Sequence, residues 1–346
     1  MSISRNNHFV PQMYLQNWAH NERRIYNYHL LVPHPHYPVW SNESIEHTAS
    51  IQNLYVRENN SVEIDDFESD FNERFETPAK RPLEKITSGL SLSKAEWETV
   101  NNYILAQYVR TPDFYFRVTN LFMNIMPGTI GDVSKQLSTP SLIKQRNVKR
   151  DAGIIEDNLI PFSLILRPDS ADEDTIMAKF ETVVGKSTWL YAIKHSLADD
   201  STLRNEFAKF EWSVVTSHPN IKWPTSDIPL VLFDPLGKNA NFVGLKSYGL
   251  LVLFPISPSK VLIRRERDIV PLQYNADYDL SRTIKWLIVR SAYLYIYSQT
   301  QDEEIPKMRP RLVDESEFKR IRNEFSEWHS KYREQEVPYL RQGIKI

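Results

Sequence analysis

Apolar positions recur along this chain with two different periods, and each period keeps to its own stretches. Residues 24–28 (RIYNY) alternate, the two-residue period of a strand. Residues 212–216, 228–233, 250–254 and 261–265 read as further strands, with Pro229 forcing a strand start or edge in the second. The last two form a hairpin across Pro255-Ile256-Ser257-Pro258. Val39-Trp40 begins a returning strand, and residues 53–56 suggest another. Helical spacing starts near Val62, where Phe67, Phe71 and Phe75 recur every four residues; Pro78 and Pro82 interrupt it, and Leu83 and Ile86 resume before Gly89. Ser93 and Glu96 have the spacing of a capping box, and Trp97, Val100, Ile104 and Tyr108 follow on one face. That helix is expected to run to Met126 and to stop at Pro127-Gly128. Ile176, Phe180, Val183, Leu190 and Leu197 predict a helix from about Ser170, with Gly185 its weak point. Two closing helices are expected, one over about residues 280–298 and one carrying Phe318, Ile321, Phe325, Trp328 and Tyr332, with Asp314 and Glu317 suited to its start.

Strands and helices are not in regular alternation, so the pattern predicts an α+β fold: one helix-rich domain over residues 1–346 with an antiparallel sheet. Residues 301–346 read as a C-terminal helical extension. Residues 128–160 are rich in Gly, Ser and Thr and carry Lys144, Arg146, Lys149 and Arg150; they read as a mobile surface excursion. The 346 residues contain no cysteine, which excludes disulfides, thiol nucleophiles and cysteine-ligated metals. A formal charge of −2 gives no global pull toward nucleic acid or an anionic membrane. The longest apolar runs, such as residues 249–254, are strand-sized, and no long apolar run follows Arg5. The expectation is a cytoplasmic protein without a membrane contact.

There is no Gly-rich phosphate loop, no His-Glu-x-x-His and no Gly-x-Ser-x-Gly, so no cofactor is expected. His34 and His36 share a side of an extended segment, but that segment holds Pro33, Pro35 and Pro38 and reads as a surface connection without a metal. Four stretches carry usable chemistry. In "HFVPQMYLQNW", Pro11 can open a short helix to Trp18, with Gln12 at its free N–H groups and His8 just before it. In "QYVRTP", Gln107, Arg110 and Thr111 share a helix face, and Pro112 should kink the helix beside the guanidinium. Arg110 either offers a fork to an anion or pairs with an internal acid. In "TSDIP", Ser226 and Asp227 are turn formers by default, or Asp227 orients His8 or pairs with Arg110. Glu76, on the acidic helix, could supply a second carboxylate.

These stretches, in this order with "WSVVTSHPNIKWPTSDIPL" and "LLVLFPISPSKVLI", resemble the domain-of-unknown-function family 4238 over about residues 6–300. The opening motif is the most specific part; Met13 and Trp18 depart mildly from the usual residues, in packing rather than polar positions. The resemblance carries over His8, Pro11, Gln12, Arg110, Thr111, Asp227 and Pro229 as recurrent positions and implies no activity. The residues favour a metal-independent hydrolase or nuclease acting on an anionic, phosphate-containing small molecule or RNA. In it His8 is the acid or base, Arg110 and Gln12 stabilise oxyanion charge, and Asp227 orients His8. Gln107, Thr111, Ser226 and Glu76 would line the ligand. Two other readings stand beside it: a non-catalytic nucleotide- or peptide-binding sensor, and an interaction protein whose polar residues form a buried network.

Overall fold

A computed structural model describes residues 5–59, 61–137, 159, 162–168, 176–234, 250–265, 272–342 and 344–345. The fold is α+β, with nine of the twelve strand pairings among the described residues antiparallel. One sheet has four antiparallel strands in the order Thr225–Ser226, Tyr295–Ser298, Arg24–His29 and Trp40–Ser44. Its register sets Tyr295 opposite His29, Tyr297 opposite Asn27, and Asn27 opposite Ser41. Successive side chains on a strand point to opposite faces. One face therefore carries Asn27, His29, Ser41, Glu43, Tyr295 and Tyr297. The other carries Tyr28, Trp40 and Ile296, which pack with Val289, Ala292 and Ile305.

A second sheet of five strands includes the expected hairpin, as Leu251–Ser257 and Lys260–Arg264, but Pro255, Ile256 and Ser257 lie in its first strand and not in its turn. Its Val215, Val231, Leu253 and Val261 bury against Ile284, Leu287 and Ile288 of the helix Tyr278–Ser291. The helix Lys94–Val109 opens with the expected Ser93–Glu96 capping box. Val100, Tyr103, Ile104, Leu105, Ala106, Tyr108 and Val109 are all buried, so the helix from Val100 on is covered on every side and runs through the main core. Phe67, Phe71 and Phe75 are buried as their spacing predicts. Among the described residues, no helix is long and apolar enough to cross a membrane.

Several elements differ from the sequence expectation for identifiable reasons. Ile176–Thr182 is a strand paired antiparallel with Phe162–Pro168, and the helix starts only at Lys186, after Gly185. Ile176 and Phe180 are four apart, a spacing common to a helix face and a strand face. The expected helix over 280–298 ends at Ser291, and Tyr295–Ser298 is a sheet strand. Pro127-Gly128 does not stop its helix, which spans Pro112–Leu137. Met123 and Ile125 are exposed there, so a carbonyl freed by Pro127 lies on a solvent-facing stretch. The excursion expected from 128 thus begins inside a helix, and residues 138–158 lie outside the described residues. Pro78 and Pro82 are carried within the helix Thr77–Thr87, directly after a π turn at Phe71–Glu76. The strand expected at 53–56 is absent: Asn53 has φ 54°, and Leu54, Tyr55 and Val56 are all buried instead of alternating. Of residues 228–233, only Val231–Phe233 form a strand.

Candidate functional site

The helix Lys94–Val109 ends where Pro112 cannot supply an N–H. The Thr111 hydroxyl takes over at the Tyr108 carbonyl, at 3.1 Å. The next two carbonyls are also met by side chains: Trp189 Nε1 donates to Val109 O at 3.0 Å, and the Tyr55 hydroxyl to Arg110 O at 2.9 Å. With the helix end satisfied, the Arg110 side chain turns inward and is fully buried. Its Nη1 donates to Glu76 Oε1 at 2.5 Å and its Nη2 to the backbone carbonyl of His8. The guanidinium lies over the Phe71 ring, 4.4 Å from its centroid. Glu76 is the last residue of the π turn. The Arg110 fork therefore joins three segments: the opening strand Asn6–His8, the π turn and the core helix.

His8 is itself buried, and its Nε2 donates to the Glu46 carbonyl at 3.1 Å. Burial, and then the neighbouring Arg110 cation, hold its pKa below the usual histidine value. Gln12 opens a four-residue helix, and its Oε1 accepts from Arg23 at 3.0 Å. Gln107 is buried in the core helix, with neither side-chain polar atom paired. The Ser226 hydroxyl donates to Ile228 O at 2.9 Å and accepts from Ile228 N–H at 3.1 Å, the expected turn chemistry.

Two cavities divide the sequence-predicted residues. His8, Gln12, Glu76 and Arg110 border a cleft of about 860 Å³, with Glu63, Asp65, Asp66, Glu68 and Glu73 around them. Its field is negative, and burial raises the Glu68 pKa to about 7. Asp227 is elsewhere and does not orient His8 or pair with Arg110. Its carboxylate accepts backbone N–H groups from Tyr293 (2.8 Å), Leu294 (2.6 Å) and Tyr295 (3.1 Å), which pins the entry of the Tyr295–Ser298 strand. Burial lifts its pKa to about 6 against those three bonds.

Asp227 lines the second cavity, about 420 Å³, which sits on the polar face of the four-stranded sheet. Asn27, His29, Glu43, Tyr295 and Tyr297 rise from the sheet. Tyr37 and, from the helix Glu315–Ser326, Phe318 and Phe325 add aromatic surface. The volume is that of a small-molecule site. His29 Nε2 donates to Ser41 Oγ at 3.1 Å, and Ser41 Oγ donates to Glu43 Oε1 at 2.7 Å. This chain assigns the His29 proton to Nε2 and leaves Nδ1 as an acceptor. Burial lowers the His29 pKa, which favours the neutral ring. Asn27 and Tyr297 are 3% and 1% exposed, yet Asn27 Oδ1 and the Tyr297 hydroxyl have no hydrogen-bond partner. Such atoms cost stability unless something else meets them.

The residues that sequence reasoning missed here are Asn27, His29, Glu43, Tyr295 and Tyr297. The signal was present in "YNYH" and "YIYS": alternation puts Asn27 and His29 on one face, and Tyr295 and Tyr297 on one face. Among the described residues, no group of three or more His, Asp or Glu is arranged to hold a metal.

In comparison with known proteins, a family model described as "Protein of unknown function (DUF4238)" matches residues 6–315. No curated protein and no solved structure matches this chain.

Proposed function

We propose, for a chain that belongs to the domain-of-unknown-function family 4238, that it is a small-molecule-binding module whose site is the aromatic cavity on the four-stranded sheet. One observation carries this reading. A 420 Å³ cavity flanked by tyrosine and phenylalanine gathers a small set of polar side chains, Asn27, His29, Glu43 and Asp227. An apolar pocket of this size with a few converging polar groups is the usual form of a small-molecule site.

The hydrolytic reading built on His8, Arg110 and Asp227 has less behind it. Asp227 borders a different cavity, and the cleft beside His8 is ringed by carboxylates that repel a phosphate. The Arg110 network fits better as the closure of the N-terminal segment onto the core.

The test is a fragment screen on the full chain by thermal shift, with hits mapped by crystallography or by NMR of labelled tyrosines. A ligand present at a hundred times its Kd should stabilise the fold by about 2.7 kcal/mol. Hits should lose that effect in Tyr297→Phe combined with Asn27→Leu. If hits bind elsewhere, or the double variant binds them unchanged, this site assignment fails.

A further inference from the structure

Resting on the reading of the cavity as a small-ligand site, we infer that its ligand is an organic ammonium, an amine-bearing molecule whose cation sits between Asp227, Glu43 and the tyrosine rings. The polar atoms at the base of the cavity are chiefly acceptors. His29 presents Nδ1 as a lone pair, and Glu43 and Asp227 are carboxylates. A ligand that satisfies this set must donate hydrogen bonds.

Charge points the same way. Asp227 is 3% exposed, and among the described residues no cationic side chain lies within salt-bridge distance of it; backbone amides alone meet its carboxylate. Arg309 acts on it only at longer range, with its Nη1 held by the carbonyls of Val289, Arg290 and Ala292. A buried carboxylate without a counter-cation favours a ligand that brings one. The aromatic walls suit the same ligand, because a cation is attracted to the face of a ring. Tyr295 and Tyr297 lie nearly parallel, 9° apart with centroids at 6.3 Å. His29 makes edge contacts to both Tyr37 and Tyr295. Arg322, an exposed residue of the helix Glu315–Ser326, also lines the cavity, opposite in charge to Glu43 and Asp227.

The probes are phenethylammonium, 3-phenylpropionate and 2-phenylethanol, titrated into the full chain by calorimetry at pH 7.5 and pH 5. The ammonium should bind at least about tenfold tighter than the other two at pH 7.5, the discrimination expected of a charged hydrogen bond. Its affinity should fall at pH 5, below the value of about 6 to which burial lifts the Asp227 carboxyl. The other titratable and charged groups facing the cavity are His29, Glu43, His47, Arg322, Tyr37, Tyr293, Tyr295 and Tyr297, with Arg309 farther off. Asp227→Asn should weaken the ammonium by roughly tenfold or more. Because Asp227 also anchors three backbone amides, Glu43→Gln, on a half-exposed side chain, serves as the independent variant and should weaken it in the same direction. If the alcohol or the carboxylate binds in the cavity as well as the ammonium, the ligand class is wrong and the cavity assignment stands. If none of the three, and no fragment of any charge, perturbs the cavity tyrosines, both readings fall together.

Discussion

Arg110→Ala is the most informative single change, because the structure says what it leaves behind. The Arg110 side chain is 1% exposed and that of Glu76 is 17% exposed, so solvent screens their 2.5 Å pair little. Removing the guanidinium strands the Glu76 carboxylate in a cleft that already holds Glu68 and Glu73. It also takes a donor from the His8 carbonyl and a cation from the face of Phe71. Breaking one side of a buried pair costs about 3–5 kcal/mol. A protein of ordinary stability has about 5–15 kcal/mol in total, so the loss would be a large fraction of it. Urea unfolding followed by far-UV circular dichroism measures the total. Hydrogen exchange then locates it, and residues 6–18 should lose protection first, since Arg110 holds their backbone. The paired change Arg110→Met with Glu76→Leu removes both charges and should recover a large part of the loss, a coupling of about 1–3 kcal/mol. A cost below about 1 kcal/mol for Arg110→Ala, or strictly additive effects in the pair, would refute the clamp.

Other expectations follow from the same contacts. The folded-state pKa of His8 is depressed by burial and then by Arg110, so the stability tied to its neutral form is present above pH 6.5 and is lost as pH falls toward the lower folded value. His8→Gln should therefore lose less stability than wild type between pH 7.5 and 5.5, and equal slopes would contradict this. A Cβ at Gly185 would lie 2.4 Å from Glu336 Oε1, which accepts Lys186 N–H at 2.8 Å, while Oε2 accepts Ser187 N–H at 2.6 Å. Gly185→Ala should thus cost about 1–3 kcal/mol in chemical denaturation, and adding Glu336→Ala should cost less than it does alone. Tyr297→Phe removes a buried hydroxyl that has no partner, so melting of the free protein should show no loss, or a gain of up to about 1 kcal/mol; a clear loss would mean the hydroxyl is bonded. Ser93→Ala breaks the capping box and should cost about 1 kcal/mol.

Local chemistry was the readable part of this sequence. The Ser93 capping box, the phenylalanine stripe, the helix break at Pro112 and the turn role of Ser226 all depend on neighbours within a few positions. Errors came where one spacing served two geometries, as at Ile176 and Phe180, or where a proline was tolerated, as at Pro82 and Pro127. The site was harder, because its contacts are long-range. Arg110 was expected to bind an anion or an internal acid, but nothing in the sequence identifies Glu76, 34 positions away, as that acid. His8 and Asp227 looked like partners because both sit in specific motifs, yet strand order sends Asp227 to the sheet and His8 to the acidic cleft. His29 lies on a strand whose two-residue period is legible, but that period does not say what its polar positions face.

Gly185 and Glu336 mark a border with practical weight. The family model ends at residue 315, but Glu336 seats the first turn of the helix Lys186–Leu197, and Phe318 and Phe325 form one side of the aromatic cavity. A chain trimmed to the matched span would keep the entire sheet platform while forfeiting a flank of its chamber and a distant helix's anchor. Excision experiments guided by family boundaries alone would then mistake a missing wall for a missing activity.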